Sequence, residues 1–563
     1  MSSQDLPPFR SRTPEFVQPP IPDWKFGTPC TATEEGRKWM EGTDDDDAFK
    51  GVDPLTLNTR DLYNVMKSGV IPRPIAFVST TSDDGIDNIA PFSFFNIMTG
   101  HVAFSITKAE NMTDTLANVR NGFVVNLINE PWVMNSHAAA IPAPHGVSEW
   151  GFSGLTKVPS KFVKAPRVKE SAFAMECEYL NQYEIRHPGD GTILYIHVIG
   201  QVKYMHLRRS VLNEKGMIDV QKYKPVARMG DISYGTIGNV YRMPAPSWAE
   251  VESLIPDDLK KDLTASSSQL RVRRVAVRKS KIVESHLKFS PASATMSNQS
   301  LPPFRSRTPE FVQPPHPEWK YGTPVTATEE GKKWMEGTEA DDAFKGVDPS
   351  TTSPRDLYNV MKSGVVPRPI AFVSTTSADG IDNLAPFSFF NIMTGGVAFS
   401  IDGSGSTKDT LANIHNGFVV NLISEPWVVN AHAAAIPAPP GVSEWGFSGL
   451  TKAPSKLVKA PRVKESAFAM ECEFLHQYEV RHPRDGTLLY THVLGEVKYI
   501  HLRRSLLNEK GALDVQKYKP VARMGDISYG TIGDVYRMPA PSWQDVEPLI
   551  PDDLKKDLRE TSS

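Results

Sequence analysis

Cysteine is nearly absent from this sequence. Three thiols in 563 residues, Cys30, Cys177 and Cys472, cannot build a disulfide framework or a structural zinc site. Cys177 and Cys472 both sit in Met-Glu-Cys-Glu, where flanking glutamates raise the thiol pKa, so they read as reduced strand residues. Long apolar runs are missing too. No stretch of 18 apolar residues occurs, which argues against a transmembrane helix, and the opening Met-Ser-Ser-Gln-Asp-Leu-Pro-Pro lacks the apolar core of a secretion signal. The cytoplasm is the expected location. An excess of one charge is also lacking. A formal net charge of -3 supplies no bulk field for nucleic acid, and no nucleic-acid or membrane partner is expected. Neither the Gly-x-Gly-x-x-Gly dinucleotide fingerprint nor the Gly-Lys-Ser/Thr of a P-loop is present.

What is present occurs twice. Leu6-Pro7-Pro8-Phe9-Arg10 recurs as Leu301-Pro302-Pro303-Phe304-Arg305, and Gly51-Val52-Asp53-Pro54 as Gly346-Val347-Asp348-Pro349. The offset of 295 residues holds to Asp262-Leu263 and Asp557-Leu558, and it aligns Met1 with Met296. Each copy reads as a whole 268-residue protein, and the chain as a duplicated reading frame. The expected organisation is an extension, 1–50, and a domain, 51–268, for copy 1, then a basic linker, 269–295. Copy 2 follows with an extension, 296–345, and a domain, 346–563. The extensions, rich in proline, tryptophan and charge, are expected along the surface of the core. The linker has seven basic residues and one acidic, Glu284, and reads as a solvated tether in preference to a nucleic-acid or membrane patch. A third reading is translated sequence between two adjacent genes.

Each domain is organised around one stretch: Arg73-Pro74-Ile75-Ala76-Phe77-Val78-Ser79-Thr80-Thr81-Ser82, then Asn88 to Asn96. Its second instance spans 368–377 and 383–391. Ile75 to Val78 predicts a buried strand, and Ser82 to Gly85 a hairpin turn, because Asp-Gly supplies the positive φ such turns need. Pro91 removes a backbone donor, which predicts an edge strand or a loop. Spacing predicts an amphipathic helix over 60–67, with Leu62, Val65 and Met66 on one face, and a second helix N-capped by Asp114. Strands are expected at 102–106, 122–128, 172–179, 193–199 and 201–207. His137 and His432, in small-residue helices, read as structural, and Glu149 and Glu444 as loop anchors. Many short strands with few helices indicate a mainly β fold of the barrel class with some α.

The loop Asp402-Gly403-Ser404-Gly405-Ser406-Thr407-Lys408-Asp409-Thr410 is suited to one phosphate, through exposed backbone N–H groups, hydroxyls and a lysine ahead of a helix. A flexible loop closed by an N-cap is the alternative. Five strings occur in order: Arg-Pro-Ile-Ala-x-Val-Ser-Thr, Asn-x-Ala-Pro-Phe-Ser-Phe-Phe-Asn, Lys-Asp-Thr-Leu-x-Asn, Gly-Val-Ser-Glu-x-x-x-x-Gly-Leu-Thr and Ala-Arg-x-Gly-x-x-x-Tyr. Over residues 51–242 and 346–537 the chain thereby resembles the flavin reductase-like family with the FMN-binding split β-barrel fold, here as two tandem copies. The resemblance implies noncovalent FMN, NADH or NADPH as co-substrate, and a dimer with flavin near the interface. In this chain the dimer would be an intramolecular pseudo-dimer of the copies, or a homodimer.

By the same resemblance, Ser79, Thr80, Asn88, Ala90, Pro91 and Ser93 border the flavin in copy 1, and Ser374, Thr375, Asn383, Ala385, Pro386 and Ser388 do so in copy 2. Ser406, Lys408, Asp409, Thr410 and Asn413 match the phosphate side, with Asp114, Thr115 and Asn118 as their copy 1 counterparts. Arg228 with Tyr234, and Arg523 with Tyr529, match the late motif; a salt bridge holding that loop is the alternative for each arginine. No metal site is implied. His145 is the catalytic candidate near the nicotinamide, against a loop histidine without a role. The implied function is an FMN-dependent oxidoreductase of the flavin reductase type, with two rivals: a flavin-binding electron carrier or sensor without turnover, and a duplicated scaffold without activity. The copies are expected to be unequal. Copy 1 has Glu110 where copy 2 has Gly405, and Thr113 where it has Lys408, while copy 2 has Pro440 in place of His145. A flavin lying between copies would combine the copy 2 loop with His145 of copy 1.

Overall fold

A computed structural model of the chain describes residues 5–107, 113–145, 147–187, 189–244, 248–252, 301–402, 407–439, 441–482, 485–539 and 542–550. The expected linker, Met296, Ser406 and most of the two phosphate-side loops lie outside the described residues.

Alternation builds the domain. In Phe123-Val124-Val125-Asn126-Leu127, Phe123, Val125 and Leu127 enter the main core and Val124 packs on the opposite face. The copy 1 sheet runs, in spatial order, 87–92, 76–81, 123–127, 173–186, 193–208, 101–107 and 95–98, every own pairing antiparallel. Phe92 on the first strand meets Phe104 near the last, ring centroids 5.3 Å apart. The sheet therefore curls into a barrel around Val78, Phe104, Phe123, Met175 and Val198. Copy 2 repeats this order with 382–387, 371–376, 418–422, 468–481, 488–503, 396–402 and 390–393. The fold class is as expected. The hairpin turn is present, with Gly85 at φ +89°, and Pro91 lies on the edge strand Asp87–Phe92.

Two expectations need correction. The strands expected at 193–199 and 201–207 are one strand, Ile193–Arg208. Gly200 does not break it; a Cβ there would meet the Phe123 ring at 2.4 Å, so glycine makes room for a core aromatic. The extensions do lie along a surface, beginning on their own copy, where Glu15–Val17 pairs with Ser233–Arg242, and ending on the other copy. Phe49–Val52 of copy 1 pairs antiparallel with the copy 2 strand Leu488–Arg503, and Phe344–Val347 pairs with Ile193–Arg208. Gly51 is required here: a Cβ would stand 1.8 Å from the Tyr499 hydroxyl of copy 2.

The copies also share a sheet of their own. Ser233–Arg242 pairs antiparallel with Ser528–Arg537, flanked by Glu15–Val17 and Phe311–Val312. The helix Thr59–Gly69 of copy 1 places Leu62 and Met66 in the copy 2 core, beside Phe390 and Val397. Cys30, Cys177 and Cys472 are free and buried. Burial, more than the neighbouring Glu176, pushes the Cys177 thiol pKa up. Among the described residues no helix is long and apolar enough to cross a membrane, and no cluster could hold a metal ion.

Candidate active site

A cleft of about 470 Å³ opens where the edge strand Asp87–Phe92 ends, against the other copy. Pro91, Ser93 and Phe94 form one wall, Ser105, Thr107 and Tyr195 another, and Arg60 and Tyr63 of the helix Thr59–Gly69 a third. Thr394 of copy 2 closes it, its Oγ1 3.0 Å from the Tyr195 hydroxyl. Phe94 is the aromatic floor, with Tyr63 at 5.9 Å and Tyr195 at 5.7 Å between ring centroids. Beneath Phe94 lies the buried Arg73 guanidinium, 5.6 Å from its ring and donating to the carbonyls of Lys67, Val70 and Met229. Burial pulls the Lys67 pKa down to about 8, and Arg228 and Arg73 add repulsion. Arg60 on the wall, Lys67 over the Tyr63 ring and Arg73 beneath Phe94 give this region positive charge, which favours an anionic ligand.

At the other end of the same edge strand, a short helix packs against the hairpin. In copy 2 the helix Thr407–Asn413 places Thr410 so that its hydroxyl donates to Asn383 Oδ1 at 3.0 Å. Asn383 in turn donates to Glu444 Oε2 at 2.8 Å, and the Leu384 N–H donates to the same oxygen. Copy 1 repeats this with Thr115, Asn88, Ile89 and Glu149. Burial pushes Glu149 and Glu444 up to about 8, against the stabilising N–H bonds. Glu444 Oε1, Thr80 Oγ1 and Thr375 Oγ1 are buried with no hydrogen-bond partner among the described residues. Asn88 is paired with Thr80 across the hairpin, so two ligand-capable groups face each other here.

Residues 66–225 and 361–521 each match the model of the flavin reductase like domain. The chain belongs to the flavin reductase-like family. Single-copy relatives include uncharacterized proteins of Halalkalibacterium halodurans, 33% identical over 206 residues, covering 35% of this chain and 96% of that protein, and of Aquifex aeolicus, 37% over 184 residues, covering 31% and 88%. YwrF of Bacillus subtilis, also uncharacterized, is 33% identical over 198 residues, covering 34% of this chain and 96% of its own. Among solved structures, nitrilotriacetate monooxygenase component B from Bacillus cereus is 27% identical, covering 33% of this chain and 95% of its own, with a TM-score of 0.32.

The family's cofactor class, a flavin, fits what the chain offers. An aromatic floor and hydroxyl-lined walls suit a planar ring, and an orphaned threonine hydroxyl, Thr80, sits on the strand paired with the edge strand that ends there, as Thr375 does in copy 2. Of the family-matched residues, Pro91 and Ser93 reach the cleft, while Thr80, Asn88, Thr115, Thr375, Asn383 and Thr410 cluster at the helix end. Ala90 and Ala385 are core residues of the barrels. Ser79 and Ser374 turn away: their hydroxyls donate to the carbonyls of Pro166 and Pro461. Lys408 is exposed, and Asn413 is buried. Asp114 lies in the first turn of the helix Thr113–Asn118, and its carboxylate contacts His145. Asp409 instead accepts from the Gly441 N–H at 2.8 Å. His145 therefore sits beside the short helix of its own copy, while residues 403–406 of the copy 2 loop and Pro440 lie outside the described residues.

Arg228 and Arg523 lie 4.7 Å over the rings of Tyr234 and Tyr529 and donate to Ser233 and Ser528 carbonyls. Tyr234 stacks on Tyr536 of the other copy, rings parallel within 7°. This pair builds the junction between copies rather than the cleft. His137 bridges the Tyr234 hydroxyl and the Pro539 carbonyl, with burial holding its pKa near 4, which fits a structural role. Sequence reasoning missed Arg60, Tyr63, Ser105 and Tyr195, because no motif contains them. Asn96 closes a family motif yet serves the junction, donating to the Ser388 and Phe390 carbonyls.

Proposed function

We propose that each copy binds FMN noncovalently and that the chain is an NAD(P)H-dependent oxidoreductase of the flavin reductase type, its copies working as an intramolecular pair. The observation that carries this is the cationic, aromatic-floored cleft at the copy junction, reached by the family-matched residues Pro91 and Ser93. Five residues of extended chain, roughly 16 Å, separate Ser93 from Asn88. That spacing suits a mononucleotide with its ring over Phe94 and its phosphate toward the short helix. Ser93, Tyr195 and Thr394 would border the ring, Thr80, Asn88 and Thr115 the linking chain, and in copy 2 Lys408 the phosphate. FMN, when bound, would supply a hydride-accepting ring, and these residues would position the nicotinamide and tune the ring by hydrogen bonds. Arg60 at the rim is suited to the nicotinamide cofactor's pyrophosphate.

The test is the absorbance spectrum of the purified chain, followed by steady-state NADH and NADPH oxidation with added FMN. Flavin bands and turnover are expected. A colourless chain that takes up no FMN would refute binding, and bound flavin without turnover would favour an electron carrier or sensor.

A further inference from the structure

His197 and His492 are equivalent residues of the two copies, and they meet on the axis relating them. Their Nε2 atoms are 3.0 Å apart and their rings lie parallel within 8°. Behind each ring, Nδ1 is 2.9 Å from a serine hydroxyl, Ser105 for His197 and Ser400 for His492. All four side chains are buried, none more than 5% exposed. Ser105 is also a wall of the cleft, and Ser400 is its counterpart in copy 2, where Tyr490 and Thr99 repeat the Tyr195–Thr394 contact at 3.2 Å. A hydrogen-bonded chain of four groups thus runs from the copy 1 cleft to the equivalent position in copy 2.

The chain cannot be symmetric. Two neutral imidazoles bridge their Nε2 atoms only when one carries the proton and the other presents its lone pair. Burial keeps both rings neutral. With the shared proton on His197 Nε2, its bare Nδ1 accepts from Ser105, while His492 carries its proton on Nδ1 and donates to Ser400. Ser105 then offers its cleft only lone pairs, whereas the Ser400 hydrogen is left to donate into the other cleft. With the proton on His492 Nε2, every bond reverses.

We propose that Ser105, His197, His492 and Ser400 form one proton relay that holds the two clefts in opposite hydrogen-bonding states. A ligand acceptor engaged by one serine then weakens binding of the same ligand at the other. Reversal balances: a proton enters on the serine of one cleft, each member passes its own proton to the next, and one leaves from the other serine. Nothing is oxidised or reduced. The use of FMN as the probe ligand rests on the flavin reading of the clefts; the relay itself does not.

Two measurements on the full chain test it. With ¹⁵N-labelled histidine, two-bond ¹H–¹⁵N couplings report which ring nitrogen is protonated. Without ligand, the summed proton occupancy of the two axial Nε2 atoms should be about one, whether the tautomers are fixed or exchanging. A sum near zero or two overturns the relay. In the second, Ser388→Leu silences the copy 2 cleft, so that FMN titration reports copy 1 alone. Adding Ser400→Ala, remote from that cleft, should shift the copy 1 dissociation constant by roughly two- to tenfold, the range of one net hydrogen bond. An unchanged constant overturns the coupling. If no form of the chain binds FMN, the flavin reading fails, and the histidine couplings alone decide the relay.

Discussion

Asn96 reaches across the copy boundary and holds the carbonyl of Ser388, Nδ2 to O 3.1 Å. The same amide donates to Phe390 at 2.7 Å, and Asn391 returns the pair of bonds to Ser93 and Phe95. The residue that ends the family motif in one copy thus fixes the cleft-lining strand end of the other. Asn96→Ala strands two carbonyls of copy 2 in a buried junction, which should cost about 1–3 kcal/mol in urea unfolding. It should also lower flavin occupancy in copy 2 more than in copy 1. An unchanged midpoint and flavin content would show that the junction does not depend on this amide.

Glu149 and Glu444 give the chain a pH dependence of definite sign. Their pKa values rise from an ordinary 4.5 to about 8 on folding, chiefly through burial. The folded chain therefore holds protons that the unfolded chain releases. Their stabilising contribution is complete below pH 4.5 and is lost as pH rises through about 8. Glu149→Gln with Glu444→Gln removes the ionising groups and keeps an acceptor for the Ile89 and Leu384 N–H groups. Thermal unfolding across pH should show the decline between those limits in the unmodified chain and a flatter profile in the double variant. Identical profiles would mean that both carboxyls titrate normally.

The barrel was legible because its signals are local. Asp-Gly at Asp84-Gly85 marks the hairpin, Pro91 the edge, and alternation over 123–127 the inward face. The destination of the extensions was not legible, for a physical reason. The two copies carry nearly identical strands, so nothing in the sequence of Phe49–Val52 distinguishes Leu488–Arg503, with which it pairs, from Ile193–Arg208. Gly200 misled because a glycine inside a strand reads as a break until its neighbour, Phe123, is known. In the site, motif residues marked the edge strand and the short helix, but Arg60, Ser105 and Tyr195 come from elements that converge only in three dimensions.

Trp39 carries the attachment of the first extension to copy 2. Its Nε1 donates to the Glu465 carbonyl, and Arg503 lies 4.6 Å over its ring while donating to its carbonyl. Trp39→Ala removes the ring from a buried guanidinium and should cost about 3 kcal/mol. Limited proteolysis should then cut within residues 1–50 sooner than in the unmodified chain, while Trp39→Phe, which keeps a ring over Arg503, should behave nearly normally. Equal cleavage rates for all three would show that the swapped strand Phe49–Val52 holds the extension alone.

The phosphate-side loops should make the two flavin sites unequal. Copy 2 has two glycines ahead of the helix Thr407–Asn413 and Lys408 in its first turn, where the Thr407 hydroxyl donates to Asp402 at 2.8 Å. Copy 1 has Glu110 and Thr113 at the positions of Gly405 and Lys408. A charge-assisted bond to phosphate is worth about 1.5–3 kcal/mol, so losing the lysine costs roughly ten- to hundredfold in affinity, and a carboxylate beside the phosphate adds repulsion. Calorimetric titration with FMN should give one tight site per chain, abolished by Ser388→Leu, and one weak site. Thr113→Lys combined with Glu110→Gly should tighten the weak site by at least tenfold and leave the other unchanged. The gain should persist in the Ser388→Leu background, which separates a loop effect from any coupling between clefts. Two equal, tight sites in the unmodified chain would show that these loop substitutions do not reach the phosphate.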